Sequence, residues 1–106
     1  MQKPEINKML TISTAHISEE TAKRLNNNDI VGLAVYLKDV YGWIIYDTIE
    51  TEDEEGVPED LMRLLWYMRS LDCAVLCLDG DGPEIPFLPK YEWINEDEDV
   101  WKLPEV

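Results

Sequence analysis

Residues 73–78, Cys-Ala-Val-Leu-Cys-Leu, form an unbroken apolar run of strand length. A run with no polar alternation has no solvent face, so it predicts a strand inside a sheet rather than at its edge. Asp79-Gly80-Asp81-Gly82 follows and reads as a turn. Before the run, Leu61, Leu64, Leu65, Met68 and Leu71 fall on one helical stripe, and Met62 and Trp66, four apart, widen its apolar face. Pro58 occupies the first turn of that helix, followed by Glu59 and Asp60.

The remaining elements are read by the same periodicities. Residues 8–16 alternate as a strand, with Leu10 and Ile12 between Thr11 and Ser13. Ser18 is a helix N-cap with Glu19 and Glu20 in the first turn, Ala22 and Leu25 form the inner stripe, and Asn26-Asn27-Asn28 ends the helix. Residues 31–37 predict a strand with Val31, Leu33, Val35 and Leu37 on one face and Ala34 and Tyr36 on the other. A turn leads to a returning strand over residues 43–49, and the acidic run after it, closed by Gly56, reads as a loop. Pro83, Pro86 and Pro89 make residues 84–93 an irregular return segment with room for one short edge strand. The order β-α-β-β-α-β predicts an α+β fold of ferredoxin-like type, an antiparallel or mixed sheet with two helices on one face. Residues 1–94 form the domain and residues 95–106 an acidic C-terminal tail, which Val100, Trp101 and Leu103 could tack down.

A chain of 106 residues holds one core and buries about 65% of its unfolded surface, enough without metals or disulfides. No apolar run approaches the roughly 18 residues that span a bilayer, and the N-terminus lacks a signal-peptide stretch. Cys73 and Cys77 on one strand would stand about 13 Å apart, beyond the ~7 Å reach of a disulfide. Two buried, inert thiols and a cytoplasmic location are expected.

Charge is unevenly placed. The net charge is −14, yet residues 47–60 hold eight acids and no base, and residues 79–106 hold nine acids and two bases. The rest of the chain is close to neutral. Direct nucleic-acid binding is disfavoured, because phosphate contacts need clustered Lys and Arg. Anionic membranes are disfavoured for the same reason. Concentrated carboxylates suit a basic protein surface and can imitate a phosphate array. The candidate partner-binding residues are Glu52, Asp53, Glu54 and Glu55 in the loop, Glu96, Asp97, Glu98 and Asp99 in the tail, and Trp66 as an aromatic anchor.

Catalytic and metal patterns are thin. Asp79 and Asp81 open like a calcium loop, but its fifth position is Pro83 and its sixth is Glu84 in place of glycine. No phosphate-binding glycine spacing occurs, and no metal or cofactor set is expected. His16, the only histidine, follows a strand and precedes a helix cap, with Ser13, Thr14 and Ser18 nearby. It is a possible functional residue, though a capping or packing role fits it better than general-base work.

Four stretches carry a family resemblance: residues 12–22 (ISTAHISEETA), Tyr41-Gly42-Trp43, Pro58-Glu59-Asp60-Leu61, and residues 88–93 (LPKYEW). They resemble a small bacterial family known only as a domain of unknown function, often carried on plasmids and conjugative elements. The resemblance implies no activity and transfers no functional residue. It favours a regulator or inhibitor from a mobile element. The expected function is therefore a small acidic binding protein that docks on a basic protein surface, such as that of a nucleic-acid-handling enzyme. The alternatives are a small enzyme using His16, or an accessory homodimeric domain with no catalytic role.

Overall fold

Val75–Asp79, the heart of the apolar run, is a strand between two neighbours, and the rest of the chain is arranged around it. The computed structural model describes residues 6–38 and 42–93. In chain order the regular elements are β1 (Met9–Ser13), α1 (Glu19–Asn26), β2 (Ala34–Leu37), β3 (Gly42–Tyr46), α2 (Glu59–Ser70) and β4 (Val75–Asp79). The four strands form one sheet in the order β1-β4-β3-β2. The expected α+β class and element order hold, and the sheet is mixed: β1 lies parallel to β4, and β3 is antiparallel to both β4 and β2.

The register sorts side chains into two faces, because successive residues of a strand point to opposite sides. Leu10, Leu76, Ile45 and Val35 make one cross-strand row, and Ile12, Leu78, Trp43 and Leu37 the next. This is the core face. Ala22 and Leu25 of α1 and Leu61, Leu64, Leu65 and Met68 of α2 join the same apolar cluster, so both helices cover one side of the sheet. Each such side chain, fully buried, contributes roughly 1.5–3 kcal/mol. Trp43 is enclosed there, its indole N–H donating to Asn26 Oδ1 at 3.0 Å. The opposite face carries Met9, Thr11, Cys77, Ile44, Tyr36 and Tyr46. Met9, Tyr36 and Tyr46 are exposed, and the two tyrosines meet edge to face at 5.8 Å.

Both helices end alike. Asn28 (φ 54°) and Asp72 (φ 62°) take the left-handed conformation just past their helices. Asn28 and Asp29 return N–H groups to Leu25 O and Arg24 O, and Asp72 and Cys73 do so to Arg69 O and Met68 O. These paired bonds satisfy the last helical carbonyls. They also place Cys73 ahead of β4 rather than on it. Cys73 is therefore half-buried, while Cys77 is enclosed, and both are free thiols.

Several boundaries differ from the periodicity. The strand expected over residues 8–16 ends at Ser13, where Thr14–His16 winds into a 3-10 turn, and the run from residue 73 becomes a strand at Val75. The strand expected over residues 31–37 starts only at Ala34, because Gly32 has φ +94° and turns the chain out of extension. Val31 is consequently exposed, whereas Leu33 is buried. The strand expected to reach residue 49 stops at Tyr46, after which Asp47 turns its carboxylate to Arg69. The acidic stretch expected as a loop winds into 3-10 turns, Thr51–Gly56, through bonds such as Asp53 N–H to Glu50 O at 2.9 Å.

Asp60 joins the starts of the two helices. In the first turn of α2 it is buried, and its carboxylate accepts from Ser18 N–H at 2.7 Å and from Thr21 Oγ1 at 2.8 Å. Ser18 Oγ in turn accepts from Thr21 N–H. One carboxylate thus serves the amino ends of α1 and α2 together, where helix dipoles favour negative charge. Asp60→Ala should destabilise the fold by about 2–3 kcal/mol, because it leaves a buried N–H and hydroxyl unpaired. Urea unfolding of the variant against wild type measures this, and Asp60→Asn should lose less.

Candidate functional site

β1 and β4 are parallel neighbours, so their carboxyl ends open on the same edge of the sheet. Crevices outside the carboxyl ends of parallel strands are common ligand sites. Here the chain leaves β1 into a 3-10 turn, Thr14–His16, and leaves β4 into the turn at Asp79. Between them lies an open crevice of about 520 Å³. Ser13, Thr14 and Ala15 line one part, Gly80, Asp81 and Glu84 another, and Tyr91 and Trp93 complete it.

The two turns are fixed against each other. Gly82 N–H donates to Asp79 O, closing the expected turn, and Ser13 N–H reaches Pro83 O at 2.8 Å. A side chain on Gly82 would stand 2.8 Å from Ile12 O, so only glycine permits this approach. The Asp79 carboxylate accepts from Asp81 N–H at 2.9 Å and pairs with Lys38 at 3.1 Å. Those two contacts, the backbone bond first, hold its pKa below the usual carboxylate range. Among the described residues no group of three or more His, Cys, Asp or Glu is gathered as a metal would require.

His16 stands behind the crevice, almost wholly buried. Its Nε2 accepts from Ile85 N–H at 2.9 Å, and its Nδ1 lies 2.9 Å from Pro89 O. The first bond makes Nε2 the lone-pair nitrogen, so the proton sits on Nδ1 and is donated to Pro89 O. Both ring nitrogens are engaged by backbone, which gives the side chain a local bonding role. Two further bonds secure the same segment: Tyr91 N–H to Ala15 O at 2.9 Å, and Trp93 Nε1–H to Ile17 O at 2.9 Å. Arg63 Nη1 donates to Tyr91 Oη at 3.2 Å, and Phe87 meets Tyr67 of α2 edge to face at 5.3 Å. Residues 84–93 thus form an irregular strap across the 3-10 turn and α2, with no strand of their own.

The structure does not gather the partner-binding residues named from sequence into this crevice. Glu52 and Glu55 are exposed on the 3-10 turns, and Asp53 is half-buried there. Glu54 lies 3.5 Å from Arg69, whose guanidinium also grips Asp47 through Nε and Nη2 at 2.7 and 2.9 Å. Asp47 foremost, with Glu54, raises the Arg69 pKa further. Trp66 is exposed on α2. Glu96, Asp97, Glu98 and Asp99 lie outside the described residues, as do the tail and Trp101. Burial pushes the Cys77 thiol up, against opposing contributions from Thr11 and Lys38, so little thiolate forms near neutrality.

Thr14, Asp81, Glu84, Tyr91 and Trp93 were not singled out as one site by sequence reasoning. The available signal was positional: each follows a parallel strand or lies in the proline-broken segment, and only the tertiary fold unites them. No helix among the described residues is long and apolar enough to cross a membrane.

Two consequences can be measured. His16→Ala should lower stability by about 3 kcal/mol, because two backbone groups lose their partner, and should make the strap the first site of limited proteolysis. Asp79 gives a pH dependence. Its folded pKa is depressed, so its stabilisation is present above the unfolded carboxylate pKa and is lost as pH falls through the lower folded value. Urea midpoints measured from about pH 6 to about pH 3 should fall less steeply in Asp79→Asn than in wild type.

Residues 9–93 match the family described as "Family of unknown function (DUF5983) C-terminal domain". Comparisons with curated proteins and with solved structures gave no match. The four resembling stretches between residues 12 and 93 all fall within this match, and the chain belongs to the DUF5983 family, a family of unknown function.

Proposed function

We propose that this protein is a small acidic binding domain that docks on a basic surface of a protein partner in the cytoplasm. The observation that carries this reading is how the two signs of charge are deployed. Among the described residues, six of the seven basic side chains are engaged internally: Lys8 with Leu71 O, Arg24 with Asp29, Lys38 with Asp79, Arg63 with Tyr91, Arg69 with Asp47 and Glu54, and Lys90 with Glu84, while Lys23 is exposed on α1. Glu50, Glu52, Glu55 and Glu59 meanwhile face solvent. With a net charge of −14, such a molecule attracts basic surfaces and repels polyanions. A nucleic-acid-handling enzyme presents a suitable surface, and inhibition by phosphate mimicry is the regulatory role that fits it. Carriage on a mobile element accords with the family resemblance. The rival, catalysis by His16, is disfavoured by an imidazole whose two nitrogens already serve backbone groups.

At physiological salt the Debye length is about 8 Å, so binding of this kind weakens steeply as salt is added. The test is affinity capture from host lysate across a salt series, read by mass spectrometry. Glu52→Gln, Asp53→Asn and Glu55→Gln together should weaken capture of the basic partner while leaving the urea midpoint unchanged. Glu54 stays in place because it contacts Arg69. Equal capture by variant and wild type at every salt concentration would show that the acids only solvate the chain.

A further inference from the structure

We propose that the crevice at the carboxyl ends of β1 and β4 binds the guanidinium group of an arginine side chain. The inference rests on the docking function proposed above and names the site at which the basic partner is read.

Four observations support it. First, the crevice, at about 520 Å³, falls within the roughly 300–1,000 Å³ typical of ligand sites, ample for one arginine head and stem. Second, its charged lining is carboxylate: Asp81 and Glu84 face it, and among the described residues that line it none is basic. That selects a cation and rejects phosphate or a carboxylate ligand. Third, Tyr91 and Trp93 line the same space. Aromatic rings beside carboxylates suit a planar, weakly hydrated cation that stacks and donates in a fork, as guanidinium does. A divalent metal ion fits poorly, since calcium takes six to eight oxygens and the neighbouring Asp79 carboxylate is held by Asp81 N–H and Lys38. Fourth, the wall is preorganised. Tyr91 is tied at its backbone to Ala15 and at its hydroxyl to Arg63, and Trp93 is tied to Ile17 O. Little ordering is therefore needed on binding. Lys90 pairs with Glu84 at 3.2 Å, but both side chains are about half exposed. Such a pair is weak and yields to a ligand that makes two bonds.

The test is a titration of the isotope-labelled full chain, followed by two-dimensional NMR. Three probes are used: the capped peptide Gly-Arg-Gly, the same peptide with uncharged citrulline, and methylguanidinium. The arginine peptide should give saturable shifts at the Trp93 indole and the Thr14, Ala15 and Glu84 amides, with a Kd on the order of millimolar. Asp81→Asn with Glu84→Gln should weaken it roughly tenfold, whereas Glu52→Gln with Glu55→Gln should not. Equal shifts from citrulline would overturn the proposal, as would shifts that miss the crevice. Binding of methylguanidinium without the peptide would replace the arginine side chain by a small free cation. The crevice fails alone if capture depends on the Glu52–Glu55 acids while the peptide leaves Trp93 unmoved. Docking fails alone if the peptide saturates the crevice while capture ignores every acid.

Discussion

The imidazole of His16 is the joint on which the carboxyl edge of the sheet depends. Residues 84–93 contain Pro86 and Pro89, which cannot donate to a ladder. A buried backbone outside a ladder still needs partners for its N–H and C=O groups. His16 supplies one acceptor and one donor from a single rigid ring, to Ile85 N–H and Pro89 O. Around that pair fall the contacts of Tyr91, Trp93 and Leu88, the last buried in the core cluster. Without a two-sided ring the strap would lie over α2 with unpaired polar groups beneath it. The crevice wall would go with it.

Asp60 shows why charge counted along a sequence is not charge displayed on a surface. It belongs by position to a run of eight acids, yet it is buried and caps a helix other than its own. Asp47, in the same run, holds Arg69 in a two-point ion pair with partly buried partners. A pair of that geometry at a helix carboxyl end, where cations are favoured, contributes more than a typical exposed ion pair. The run therefore divides into acids that build the fold and acids that face solvent, and only the second kind can meet a partner.

Much of the fold was legible because its signals are local. The α2 stripe, the Ser18 cap, the Asn28 helix end and the apolar run of β4 each depend on a few residues with a fixed period or a fixed conformational preference. The failures are equally physical. Gly32 sits inside an alternating pattern, and alternation does not reveal that its φ is positive. Trp66 and Met62 share one spacing but not one fate, since Met62 is buried and Trp66 exposed. The β2–β3 hairpin was legible from its turn and returning strand, but the pairing of β1 with β4 was not, because it joins residues over sixty positions apart. The crevice inherits that non-locality. His16 stood out as the lone histidine, while the backbone groups that define its role lie about seventy residues away.

Two groups of carboxylates lie at different ends of the sheet. β3 runs antiparallel to β4, so Asp47 follows Tyr46 beside the amino end of β4, where it meets Arg69. Asp81 and Glu84 follow the carboxyl end of β4. Asp47 and Glu54 face a guanidinium the fold itself provides, and among the described residues the crevice acids meet the exposed Lys90. Carboxylates thus gather once around an internal guanidinium and once beside an aromatic lining. An internal arginine stabilises the fold at one end. At the other, the crevice is bounded by rings and turns that the His16 strap keeps in place, which suits the docking cation proposed for it.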